Sequence, residues 1–177
     1  MPFIAEAFGA LAVVLNFIGY RQNDVNRYRF ISALALASVS THFFLLGAMA
    51  AGIGCLLASV RNIIAMRYRS YGVLWFFVAA NLAFLAYEWF ALQHGWLILV
   101  AYASSLIFTV GSIVLQDATR IRQWFIVAEV LGLIYAVMVG SIFGSVFNIS
   151  NLASIVIKLR QDRGTPRVAR GPTSSSD

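Results

Sequence analysis

Charge is what this sequence has least of. Only 11% of its 177 residues are Asp, Glu, Lys or Arg, against 60% that are hydrophobic. That balance leaves too little polar surface to coat a water-soluble domain, and a mean hydropathy of +0.81 says the same. Proline is almost missing: Pro2, Pro166 and Pro172 are the whole set, so the apolar runs carry no built-in kink. One cysteine, Cys55, excludes a disulfide framework and a cysteine metal set, and reads as a small buried apolar residue. His42 and His94 are the only histidines. No HExxH, CxxC, Gly-rich phosphate loop or nucleophile, base and orienter set can be assembled, so neither an enzyme nor a cofactor or metal is expected.

What the chain has is apolar length. A membrane-spanning helix needs about 20 mostly apolar residues, and seven such stretches divide the chain at 3–20, 28–47, 48–66, 71–90, 95–115, 123–139 and 141–157. The second and third, like the sixth and seventh, are separated only by small uncharged residues around Gly47 and Gly140. A turn without charge joins helices that run up and back through hydrocarbon. The expected fold is therefore all-α and polytopic, with lipid as the surrounding partner. The N-terminal run has no basic lead and carries Glu6, so the first stretch is expected to stay rather than be cleaved. The tail 158–177 is polar and expected to be disordered.

The excess of base, thirteen Lys and Arg against seven Asp and Glu, is all on one side. Arg21, Arg27 and Arg29 follow the first stretch, Arg67 and Arg69 the third, Arg120 and Arg122 the fifth, and Lys158, Arg160, Arg163, Arg167 and Arg170 the last. Arg61 is the only other basic residue. The positive-inside rule makes that side cytoplasmic, with the N-terminus out and the C-terminus in, and it explains the charge without nucleic acid. Trp75, Trp89, Trp96 and Trp124 fall near stretch ends, as an aromatic belt requires.

A shift of 93 positions lays Arg27 on Arg120, Arg29 on Arg122, Gly47 on Gly140 and Arg67 on Arg160. The chain then reads as one transmembrane domain, 1–157: a three-helix unit at about 3–66, a linking helix at about 71–90, and a second parallel unit at about 95–157.

Polar side chains within the stretches are the candidate functional residues, because they are costly in hydrocarbon. Glu6, Gly9, Asn16 and Tyr20 share a face of the first. Asn81 and Glu88 do so on the fourth, Tyr102, Ser105, Thr109 and Ser112 on the fifth, Glu129 and Gly132 on the sixth, and Asn148 and Asn151 on the seventh. Two readings stand: a polar lumen, or hydrogen-bonding glue between helices. His42, Glu6 and Glu88 fall in the outer third, as a titrating cluster or as inter-helix bonds. Glu129 has no nearby helix end to reach, so it needs a partner, and Arg61 lies at similar depth. A buried Arg61–Glu129 pair and an Arg61 that reaches the headgroups are both open.

HFFLLGA at 42–48, then Arg61-Asn62, Arg67 and Arg69-Ser70, resemble the bacterial inner-membrane family typified by YgjV. The resemblance covers most of the chain. It implies a small inner-membrane protein and, more remotely, the seven-helix 3+1+3 architecture of SWEET, PQ-loop and PnuC-like transporters. It places Asn62, Asn148 and Asn151 where those carriers contact substrate, beside Asn16 and His42 from the lumen reading. The departures are the missing helical prolines, and Arg21-Gln22 where PQ-loop proteins have Pro-Gln. The expected function is a small-solute carrier, with a homo-oligomer compatible; the alternative is a non-transporting structural, assembly or stress-related membrane protein.

Overall fold

The computed structural model describes residues 2–20, 24–115 and 118–164. Seven α-helices make up the described residues: α1 (Pro2–Tyr20), α2 (Val25–Leu45), α3 (Met49–Ile64), α4 (Tyr71–Ala86), α5 (Leu97–Val114), α6 (Ala118–Met138) and α7 (Ile142–Gly164). A π-helical turn, Tyr87–Ala91, continues α4. Five helical segments, 26–45, 71–91, 97–114, 120–138 and 142–160, are long and apolar enough to cross a membrane; the apolar parts of α1 and α3, at 3–19 and 49–64, are shorter.

Helix ends follow local chemistry. Asp24 caps α2 by accepting from the Arg27 backbone N–H at 2.7 Å, and Ser141 caps α7 by accepting from that of Gly144 at 2.9 Å. After α2 and α6 the chain reverses through Gly47 and Gly140, at φ +75° and +72°, a left-handed conformation that glycine adopts without cost. The two turns share one hydrogen-bond pattern: Gly47 N–H to Phe44 O and Ala48 N–H to Phe43 O, then Gly140 N–H to Val137 O and Ser141 N–H to Ala136 O. At the opposite, basic end, Arg29 donates to the Ala65 carbonyl at 3.0 Å and Arg69 to that of Ser112 at 2.9 Å, placing cations on the C-termini of α3 and α5.

The sequence expectation ended the last helix at 157 and began a disordered tail at 158, whereas α7 runs on to Gly164. Lysine and arginine are good helix formers, so the helix outlasts its apolar stretch. Residues 165–177, and Arg21 and Gln22, lie outside the described residues. The sixth helix starts at Ala118 rather than 123 for the same reason.

Packing is inverted relative to a soluble protein. Ala5, Ala12, Ala35, Ala50, Ala128 and Ala136 are at most 1% exposed, while Trp75, Phe76, Phe90 and Ile142 are each more than 60% exposed. Small residues let helix backbones close up where apolar burial gives no drive, and large ones face lipid. The middle helix α2 packs on α1 and α3, and α6 on α5 and α7. The two groups meet along α1 with α7 and α3 with α5, while α4 touches α3 and α5.

Candidate functional site

The polar groups between the helices form three sets. At the turn end, His42 is fully buried, with Nδ1 2.7 Å from the Ala5 carbonyl and Nε2 2.7 Å from Ser141 Oγ. A carbonyl only accepts, so Nδ1 carries the proton and, in the neutral ring, Nε2 accepts from the serine hydroxyl. Ser141 Oγ then accepts from the Gly144 N–H, and one side chain ties α1, α2 and the first turn of α7 together. This Ser–His pair was not visible in the sequence, since its members are 99 residues apart. At 0% and 2% exposure it is packed into the interior, with both ring nitrogens engaged inside the protein.

The second set lies deeper along both seams. Asn16 of α1 donates to Asn151 of α7, whose own amide donates to Glu129 Oε1 at 2.8 Å. On the other seam Arg61 Nη1 of α3 donates to Thr109 Oγ1 of α5 at 3.0 Å. The expected Arg61–Glu129 ion pair is therefore not formed: each group takes a neutral partner on its own seam. Nor does Arg61 snorkel, being 4% exposed. The expectation rested on similar depth along the helices, but the two side chains bond on different seams, which depth does not fix.

The third set is at the end of α4. Glu88, fully buried in the π-helical turn, accepts from the Tyr102 hydroxyl at 2.6 Å and from His94 Nδ1 at 2.7 Å. The π-turn supplies the local unwinding that turns a carboxylate inward at a helix end. Glu88 and His42 thus have separate partners, and the expected outer cluster of His42, Glu6 and Glu88 divides. Of the remaining site candidates, Asn62 donates to Ser32 at 3.2 Å and Asn148 to the carbonyl of Gly144 in its own helix at 2.7 Å. All five expected substrate contacts, Asn16, His42, Asn62, Asn148 and Asn151, are engaged within the protein. Two open surface depressions, one lined by Phe8, Leu11, Leu15, Leu34 and Thr41 and one by Asp24, Arg27, Phe30 and Met66, do not include these residues.

Against known proteins, the family model described as Imp-YgjV, bacterial inner membrane protein, matches residues 3–165. The chain belongs to the Imp-YgjV family. A curated relative, inner membrane protein YgjV of Escherichia coli (strain K12), is 29% identical over 76 residues, 43% of this chain and 42% of that protein. The chain thus matches less than half the length of that relative. No solved structure matches it. An Imp-YgjV protein with these helices is an integral protein of the bacterial inner membrane, and the family name describes a location rather than a chemistry.

Proposed function

We propose that this Imp-YgjV protein is a small-solute carrier, not an enzyme, built of seven spanning helices as two parallel three-helix units, 3–66 and 95–157, joined by α4, with the N-terminus out and the C-terminus cytoplasmic. The observation that carries the reading is the correspondence at 93 residues. Gly47 and Gly140 turn with identical hydrogen bonds. Thr109 stands 93 positions after Asn16, and each makes the polar contact to the other unit, Asn16 to α7 and Thr109 to α3. The 93-residue shift exchanges the contacts α1/α7 and α3/α5, which supports a pseudo-two-fold carrier arrangement. Transport then requires a seam to open.

The test is uptake of labelled metabolites into proteoliposomes by a Cys55→Ser background carrying Gly54→Cys and Ser105→Cys. A Cβ built on Gly54 lies 3.3 Å from that of Ser105, close to disulfide spacing. Saturable uptake lost on oxidation and regained on reduction is expected. Uptake of nothing by folded protein, or uptake indifferent to the cross-link, overturns the carrier. The alternative, a structural or assembly role, is favoured by the internal engagement of all five expected contacts. Orientation is tested separately: an impermeant thiol reagent applied outside should label cysteine placed at Met49 or Ile142 and spare one at Arg69, given the one-sided basic residues.

A further inference from the structure

Among the described residues, no acidic side chain pairs with the Arg61 guanidinium. Arg61 is 4% exposed, it makes one hydrogen bond, to the neutral Thr109 hydroxyl, and its Nε–H finds no partner among the described residues. The carboxylate at similar depth, Glu129, is taken by Asn151. Among the described residues Tyr28 of α2 acts on Arg61 electrostatically, and a phenol is uncharged at neutral pH. An ionised guanidinium in an apolar interior with one neutral partner is far from compensated.

A second observation falls on the same seam. Ser105, one helical turn before Thr109 on α5, is 6% exposed and its hydroxyl is also without a partner among the described residues. It lies against Gly54 of α3, where a Cβ would come within 3.4 Å of the hydroxyl oxygen. The remaining unsatisfied buried atom, Asn81 Oδ1, belongs to α4. All three therefore lie on α3, α4 and α5, which are in mutual contact. On the equivalent α1/α7 seam the chain supplies both halves of the contact, Asn16 and Asn151.

We infer that the α3/α5 seam is a binding site for a small oxyanion, a carboxylate or a phosphate, held by the Arg61 guanidinium with the hydroxyls of Ser105 and Thr109. With Nη1 engaged, the Nε edge of the guanidinium remains, and that planar edge matches two oxygens of a carboxylate or phosphate side-on. Hydroxyls one turn apart, about 6 Å along α5, line the seam beside it. The inference extends the carrier reading by naming a substrate class. Binding is read without flux, so failure of one is distinguishable from failure of the other.

The experiment is equilibrium dialysis of the purified full chain in neutral detergent with radiolabelled inorganic phosphate and, separately, lactate, at fixed pH and ionic strength. Thermal unfolding midpoints are followed in parallel. Saturable one-site binding of at least one probe is expected, abolished by Arg61→Gln. Ser105→Ala breaks no hydrogen bond and should fold; it should weaken binding about tenfold or more, equivalent to about 1.4 kcal/mol. Where Arg61→Gln does not fold, Ser105→Ala decides. A third arm compares bilayer discs of phosphatidylglycerol and phosphatidylcholine: stabilisation by the anionic lipid alone, lost in the same variants, supports the site and assigns the oxyanion to a headgroup. No saturable response to phosphate, lactate or phosphatidylglycerol overturns the inference, as does wild-type binding in Ser105→Ala or in folded Arg61→Gln.

Discussion

The two seams at which helices α1–α3 meet helices α5–α7, α1/α7 and α3/α5, differ in finish. Along α1/α7 the buried His42, Asn16, Asn151 and Glu129 all have partners: His42 bonds Ala5 and Ser141, and Asn16 bonds Asn151, which holds Glu129. Backbones there are close enough that a Cβ on Gly9 would sit 2.5 Å from the Phe143 Cβ. Along α3/α5 two buried groups are left unsatisfied, and a Cβ on Gly54 would meet its nearest atom at 3.3 Å. On the carrier reading proposed above, the fully bonded, closely packed seam is the hinge and the incompletely bonded one is where the bundles part. Deleting a contact should therefore cost more on α1/α7 than on α3/α5.

The largest difference is expected from His42→Ala against Thr109→Val. Losing the imidazole leaves the Ala5 carbonyl and the Ser141 hydroxyl short of a partner and opens a cavity, about 3–5 kcal/mol together. Thr109→Val removes one hydrogen bond from an arginine already poorly satisfied, about 1 kcal/mol. Denaturation midpoints in mixed detergent read both. Equal losses would remove the distinction between the seams.

Next comes Gly9→Ala, an overpacking test. The added methyl meets the Cβ of Phe143, which is fixed to the backbone of α7 and cannot rotate away. A loss of about 1–3 kcal/mol is expected, with loss of contact between α1 and α7 seen by cysteine cross-linking. A neutral effect would mean that the α1/α7 seam is not tight.

The separateness of Arg61 and Glu129 gives a third prediction. Because each bonds a different helix on a different seam, a double-mutant cycle of Arg61→Gln and Glu129→Gln should be additive to within about 0.5 kcal/mol. The glutamine at 129 still accepts from Asn151, so that single variant should be mild. Coupling of several kcal/mol would restore a direct ion pair and dissolve the argument that Arg61 awaits an anion.

The sequence made the membrane character, the seven helices and both glycine turns legible, because each is written in local chemistry: apolar length, one-sided arginine, and a residue free to take positive φ. It also held a sharper repeat signal than the glycines. DVNRYR at 24–29 and DATRIR at 117–122 share an aspartate and two arginines at the 93-residue shift, and Asp24 caps α2. The partners of the buried polar groups were not legible. Which face of α6 Glu129 leaves from can be read, but whether α3 or α7 lies opposite that face is decided by packing. Ser141 was hidden differently, looking like turn punctuation while serving as helix cap and histidine partner at once.

The smallest expected effect separates the seams most finely. Gly54→Ala places a methyl 3.3 Å from Ser105 Cβ and 3.4 Å from its hydroxyl oxygen, a distance that a shift of a few tenths of an ångström relieves. Replacing a mid-helix glycine by alanine gains up to about 1 kcal/mol of helix propensity in a soluble host. Gain and crowding nearly cancel, so stability should change by less than about 0.5 kcal/mol, against the clear loss at Gly9. The same methyl sits over the Ser105 hydroxyl, so oxyanion binding should weaken while the fold is untouched. Stability and binding would then part company at one residue, which a seam held only by packing does not allow. If Gly54→Ala instead destabilises as much as Gly9→Ala, the α3/α5 seam is as closed as its counterpart, and the hinge and the opening side cannot be told apart.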